Sequence, residues 1–188
     1  MVDESVTVKG SPVRSLQKFI DAELSAEQRE AVFRSLPPEF ASRFRSPILA
    51  TETVPLHMLN RFTEEAARAA GQPLDQFARR AGRSGAEDAI KGVYRFFAMV
   101  MTPAALIEKA SKMWSGFYNR GTMQIAEQTD RSVTVRVTNF PAEPAGCARI
   151  GGWAERAIEM TGAKNVHSQH GSCIAKGGNC CEWKIVWS

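Results

Sequence analysis

Apolar residues recur three and four positions apart through the part of the chain that precedes Gly121. This period predicts amphipathic helices. Capping residues or prolines mark predicted helix starts at Ser11-Pro12, Ser25, Pro55 and Thr102-Pro103. The pattern therefore predicts that the first half of the chain is made of helices.

After Gly121 the apolar period changes to two. Val133, Val135 and Val137 alternate with polar residues, which predicts a β-hairpin. A helical segment around Trp153 follows, and two further strands complete the chain. This order predicts an α+β fold, in which N-terminal helices pack on a four-stranded antiparallel sheet with a β-β-α-β-β C-terminal half.

Composition narrows the class of protein. The 188 residues can bury a core without disulfides, so the four cysteines are expected to be free thiols or metal ligands. The net charge is +4, but basic residues are scattered among acidic ones, and no nucleic-acid partner is predicted. The N-terminal residues lack the pattern of a signal peptide, and no apolar stretch is long enough to span a membrane. A cytoplasmic protein is expected.

Three cysteines carry the candidate chemistry. If residues 176–178 form a three-residue hairpin loop, Cys173 lies opposite Cys181, and the two sulfurs can share one tetrahedral ion. A two-residue turn would instead place Cys173 opposite Glu182. Cys147, at the start of the preceding helix, offers a third thiolate. The spacing predicts a zinc site, and the alternative is that buried cysteines simply pack in the core.

A fourth metal ligand is needed, and the candidates are Glu127, His167, His170 and Cys180. On a continuous strand, His170 would face away from His167 and Cys173, which argues against one site that contains all three. Which of Cys180 and Cys181 would bind the metal stays open.

Apolar residues of the helical part could line a pocket for an apolar or aromatic small molecule. The candidates are Phe97, Met113, Trp114, Phe117, Tyr118 and Trp153. At helical spacing the alternative is an ordinary core. No catalytic or nucleotide-binding motif occurs, so a binding protein is favoured over an enzyme.

The C-terminal part of the chain resembles a known family. The motifs that carry the resemblance are Gly151-Gly152-Trp153, Ala163-Lys164-Asn165-Val166, Lys176-Gly177-Gly178 and Cys181-Glu182-Trp183. They resemble the 4-vinyl reductase domain, which is related to haem-nitric-oxide-binding domains and to TRAPP trafficking subunits. The similarity covers about Val54 to Trp187, and a longer stretch from Val8 is similar to an uncharacterised bacterial family.

The resemblance implies helices on a four-stranded antiparallel sheet. In related sensor domains of phenol-responsive activators, three cysteines hold zinc beside an effector pocket, and Cys147, Cys173 and Cys181 are similarly spaced. An accompanying acidic ligand would fall near Glu127. The haem-binding signature of the superfamily, an axial histidine with a Tyr-x-Ser-x-Arg run, does not occur in this chain.

The resulting hypothesis is a small-molecule-binding sensor or interaction domain with a structural zinc. It is expected to be a homodimer through its helices and to signal to an unknown protein partner. The alternatives are a tetrapyrrole-processing reductase subunit and a lipid- or acyl-binding scaffold like the trafficking subunits. The expected division is a flexible tail at 1–12, a helical extension at 13–53 and a 4-vinyl-reductase-like domain at 54–188.

Overall fold

The computed structural model describes residues 4–188, apart from the side chain of Val93. The chain begins with β1 (Thr7–Lys9), α1 (Gly10–Glu23), α2 (Ala26–Ser35), α3 (Pro38–Arg45) and β2 (Thr53–Pro55). Five helices follow, namely α4 (Leu56–Ala69), α5 (Leu74–Ala89), α6 (Val93–Val100), α7 (Pro103–Lys112) and α8 (Trp114–Phe117). The last elements are β3 (Thr122–Thr129), β4 (Ser132–Thr138), α9 (Pro144–Glu159), β5 (His167–His170) and β6 (Cys181–Val186).

The C-terminal half is the predicted antiparallel sheet with one helix. The strand order is β3-β4-β6-β5, and each neighbouring pair is antiparallel. Val133, Val135 and Val137 on β4 are buried on the same face as Trp183 and Ile185 on β6. The predicted α+β fold is therefore confirmed.

The N-terminal helices share one core with the following helices. β1 pairs with β2, and buried side chains from α1 to α5 form a single cluster. The expected division does not follow this packing, because residues 7–12 form β1 and the start of α1, and the boundary at 53/54 falls within β2. Residues 1–3 of the predicted tail lie outside the described residues.

The helices α5 and α9 cross in close contact, which joins the two halves. A Cβ atom built on Gly82 would lie 2.0 Å from the carbonyl oxygen of Arg149, and one built on Gly152 would lie 2.0 Å from that of Arg79. Only glycine allows backbones to approach this closely. In the described part of the chain, no helix combines the length and the apolar character needed to cross a bilayer.

Candidate metal centre

Four side chains from three elements converge beside the sheet. They are Cys147, His170, Cys173 and Cys181, and one potential ligand atom from each lies within 4.8 Å of those of the others. The sulfurs of Cys173 and Cys181 are 4.0 Å apart. A tetrahedral ion with sulfur ligands at about 2.3 Å holds two sulfurs roughly 3.8 Å apart, so little movement is needed to accommodate one.

Cys147 reaches the cluster from the first turn of α9, which begins at Pro144. Its backbone carbonyl accepts a hydrogen bond of 3.2 Å from the indole N–H of Trp183. Trp183 is buried in β6, so this bond fixes the start of α9 against the sheet. This bond therefore fixes the position of the helix that carries Cys147 relative to the strand that carries Cys181.

Cys173 and Cys181 flank the connection between β5 and β6. Neither of the two turns considered for this connection forms, because residues 174–176 form a 3₁₀ turn and Gly177 takes a left-handed conformation with φ 86°. The turn closes when the N–H of Gly178 donates to the carbonyl of Cys173 at 2.9 Å. The N–H of Ile174 points at the Sγ of Cys181 at 3.5 Å. This loop brings Cys181, and not Cys180, to the cluster.

His170 is the fourth member. It ends β5, and its ring stacks on Trp183 with centroids 4.7 Å apart and an interplanar angle of 7°. Its Nε2 atom is buried and has no hydrogen-bond partner among the described residues. A buried imidazole nitrogen without a partner is costly in a structural role but is what a metal ligand requires.

The environment of the cluster favours the uncharged forms of Cys147, Cys181 and His170. Burial raises the pKa of the Cys147 thiol, and the neighbouring Cys181 and Cys173 raise it further. Burial also raises the pKa of Cys181, although the N–H of Ile174 opposes this. Burial lowers the pKa of His170, assisted by the positive charges of Lys176 and Arg79. A neutral imidazole is ready to bind a metal, whereas the thiols must release protons.

Glu127, the acidic ligand suggested by the family resemblance, does not reach the cluster. It is exposed on β3, opposite Thr134, whereas Met123 is the β3 residue level with Cys181 across β4. Four residues along a strand separate Met123 from Glu127, which is roughly 13 Å. His167 is also exposed, and Cys180 points toward the hydroxyl of Ser172 at 3.9 Å.

Two of the six predicted pocket residues lie beside the cluster. Trp114 stacks on Tyr118 with ring centroids 4.4 Å apart, and the rings of both contact Phe140 edge-on. Tyr118 and Phe140 line a cavity of about 10 Å³ that Cys147 and Cys181 also line. Such a volume holds about one water molecule and no organic ligand.

The other four predicted pocket residues do not line this cavity. Phe97 and Met113 are 55% and 49% exposed. Phe117 is half-buried at the end of α8. Trp153 packs in a separate cluster around Ile90.

A polar network that the sequence did not reveal anchors β5 to the helices. The buried carboxylate of Glu155 on α9 accepts bonds from the guanidinium of Arg79 at 2.8 Å and from the N–H and hydroxyl of Ser168 at 2.8 and 2.9 Å. Ser168 lies two residues before His170. Charged residues in a helical sequence usually face solvent, so only the fold shows that these side chains meet.

The chain matches no family model and no curated protein. Solved structures do match. The Fe(II) unliganded H-NOX protein from K. algicida is 13% identical, with a TM-score of 0.72 and coverage of 96% of each chain. An H-NOX protein from S. oneidensis in the Fe(II)NO state is 13% identical, with a TM-score of 0.70 and coverage of 96% of this chain and 99% of that one.

A third structure agrees with these two. It is an oxygen-binding H-NOX domain related to soluble guanylate cyclases, 14% identical with a TM-score of 0.64. The match covers 96% of this chain and 95% of that one. The chain has the H-NOX fold. This finding fits the haem-nitric-oxide-binding part of the family resemblance, while the 4-vinyl reductase and TRAPP parts stay predictions.

The comparison overturns the expectation that zinc is the cofactor. Two of the solved structures just described carry iron, as Fe(II) and Fe(II)NO, and another is of a haem protein with a distorted porphyrin. The expectation of zinc came from the cysteine spacing and from the similarity to related sensor domains. Haem therefore has to be tested against the residues of this chain.

The residues present do not fit a haem. The ring of His57 packs on Phe40, His167 is exposed, and His170 faces three cysteines. Haem needs a pocket of several hundred Å³ and an axial ligand. The enclosed cavity has about 10 Å³, and an open groove of about 540 Å³ between α1 and α5 is lined mainly by charged side chains without His, Cys, Met or Tyr.

Proposed function

We propose that this chain is a sensor domain of the H-NOX fold that binds a single thiophilic ion of iron or copper through Cys147, His170, Cys173 and Cys181. The observation that carries the proposal is the convergence of four ligand atoms within 4.8 Å. Three thiolates and one imidazole are a ligand set for a tetrahedral ion.

The cluster is placed where occupancy can change structure. Its ligands come from the start of α9, the end of β5, the loop between β5 and β6, and the start of β6. A bound ion would join these elements in addition to the bond from Trp183 to Cys147. Loss of the ion would free the loop between β5 and β6, and this change in order is the proposed signal.

The proposal favours a metal ion over larger ligands for a steric reason. The cavity beside the cluster is too small for a tetrapyrrole or an acyl chain, which disfavours both the reductase and the lipid-scaffold alternatives. The homodimer and the protein partner stay predictions.

Cobalt(II) titration of metal-free, reduced protein tests the site. We expect one equivalent of Co²⁺ to produce intense thiolate-to-cobalt charge-transfer absorption and the visible bands of a tetrahedral ion. Cys173→Ser and Cys181→Ser should each reduce the charge-transfer intensity by about a third or abolish binding. Native mass spectrometry of the protein as isolated would then identify the bound ion by its mass.

The matched control is Cys180→Ser, because this cysteine is adjacent in sequence but lies outside the cluster. It should bind Co²⁺ as the unmodified chain does. An equal loss of charge-transfer intensity in all three variants would contradict the proposal. Spectra of the unmodified chain without thiolate charge transfer would contradict it as well. A stoichiometric complex with added haem would contradict the conclusion that haem does not fit.

A further inference from the structure

The helix α6 is exposed on nearly every side although its sequence is apolar. Five of its large apolar side chains are between 55% and 82% exposed, namely Tyr94, Phe96, Phe97, Met99 and Val100. Ala98 is the one described residue of this helix that is buried, and it packs near Ile90 and Leu106. A contiguous apolar surface of this kind marks a site of contact with another phase or molecule.

The distribution of these side chains around the helix distinguishes between possible occupants. At 3.6 residues per turn, the five exposed apolar residues cover an arc of about 220°, more than half of the circumference. A partner protein that packs against a helix covers one face, typically an arc of little more than about 100°. A lipid interface can cover a wider arc, because lipid chains adapt to the flanks of a helix as well as to its underside.

The charged residues near α6 indicate the charge of the surface that this helix contacts. No acidic residue occurs between Asp88 and Glu108, whereas Lys91 precedes the helix and Arg95 lies within it. Both basic residues are exposed, and Lys91 pairs with Asp88 at the end of α5. The net charge of +4 adds a long-range attraction to anionic surfaces. Two exposed copies of Arg95 would repel each other in a symmetric contact between two α6 helices, which disfavours a second copy of this chain.

We propose that α6 docks this protein on the surface of an anionic lipid bilayer, with Phe96, Phe97 and Val100 in the boundary between headgroups and acyl chains. An amphipathic aromatic such as Tyr94 is suited to this boundary, and Arg95 contacts lipid phosphates. The helix lies in the plane of the interface and does not cross it.

Vesicle cosedimentation tests the proposal. The full chain is mixed with vesicles of phosphatidylcholine alone or with a mixture of phosphatidylcholine and phosphatidylglycerol. We expect binding to the mixed vesicles, weakened about tenfold or more by replacing both Phe96→Ser and Phe97→Ser. Arg95→Glu should also weaken binding about tenfold, and added salt should do the same because surface charge attraction is screened.

Leu49→Ser is the matched control. Leu49 is 60% exposed, but it lies between α3 and β2, so its replacement should change vesicle binding less than about twofold. Unchanged thermal unfolding verifies that each variant is folded. Three results would overturn the proposal: no binding to mixed vesicles, equal binding by the phenylalanine variant, or self-association without lipid that the phenylalanine variant abolishes. The last result would assign α6 to a contact between copies of this chain.

Discussion

The crossing of α5 and α9 and the helix α6 are both rich in apolar residues, yet the first is buried and the second is exposed. At the crossing, the small residues Gly82 and Gly152 are buried, and the backbones touch. In α6, large residues such as Phe96 and Val100 are 75% and 82% exposed. Between these two regions, the difference in burial depends on whether another helix packs closely and not on apolar character.

The same comparison relates to function. The crossing holds α9 in place, and α9 and the neighbouring β5 carry two of the four ligands of the candidate metal centre. The helix α6 carries none of them. One region positions a site inside the protein, and the other offers a surface to its surroundings.

The strongest way to break the crossing is Gly82→Ala. The added methyl group would lie 2.0 Å from the carbonyl oxygen of Arg149, and backbone atoms cannot move aside as a flexible side chain can. We expect a loss of about 3 kcal/mol in the free energy of unfolding, measured by urea denaturation.

Gly85→Ala is the control in the same helix. The nearest atom to its added methyl group is in the ring of Trp153 at 3.8 Å, which is an ordinary contact. Alanine should stabilise the helix here by up to about 1 kcal/mol. Equal destabilisation by the two substitutions would mean that close approach is not what Gly82 provides.

The buried carboxylate at the crossing gives the next largest effect. Glu155→Gln removes the charge that Arg79 and the N–H of Ser168 contact at 2.8 Å. We expect the free energy of unfolding to fall by about 2 to 3 kcal/mol, because the buried Ser168 and the half-buried Arg79 lose the charge that they contact. Glu159→Gln changes a more exposed partner of Arg83 and should cost less than about 1 kcal/mol. Similar losses from both substitutions would show that burial of Glu155 adds nothing.

The sequence predicted the fold because its periods are unambiguous where packing is regular. The alternation of Val133, Val135 and Val137 and the helical spacing around Trp153 both correspond to the elements observed. The exposure of α6 could not be predicted, since a short apolar segment has the same pattern whether it is buried or not. The close contact at Gly82 could not be predicted either, because the sequence does not show which two helices cross.

The candidate metal centre was only partly predictable. The spacing brought attention to Cys147, Cys173 and Cys181, which the structure does bring together. His170 was set aside because a continuous strand would turn it away from Cys173. The strand instead ends at His170, and the following turn reverses this relation. A break in a strand is a tertiary feature that alternation does not report.

A smaller effect is expected at the end of α5, immediately before α6. The carboxylate of Asp88 accepts hydrogen bonds from Ser15 and Lys18 and pairs with Lys91. Burial alone would raise its pKa, but Lys91, Ser15 and Lys18 together hold the pKa at about 2. Because the folded-state pKa is lower than the ordinary value of 3.8, this stabilisation is present above pH 4 and is lost as the pH falls toward 2.

Asp88→Asn should therefore reduce the free energy of unfolding at pH 7 by about 0.5 to 1 kcal/mol, a range suited to partly exposed ion pairs. Urea denaturation at pH 7 and at pH values between 4 and 2 measures the difference from the unmodified chain. The difference should shrink through that acidic range. A difference that is constant with pH would mean that Asp88 acts by packing and not by charge.

The smallest effect on stability is expected at Phe96, an exposed aromatic residue of α6. Its side chain is 75% exposed, so Phe96→Ala leaves almost no cavity and should change the free energy of unfolding by less than about 0.5 kcal/mol. Phe77 in α5 is fully buried, and Phe77→Ala should cost about 3 to 5 kcal/mol. Thermal and urea unfolding of the two variants measure this contrast. A large loss at Phe96 would show that α6 packs against the rest of the protein in solution, and the surface proposed for lipid would then not be available.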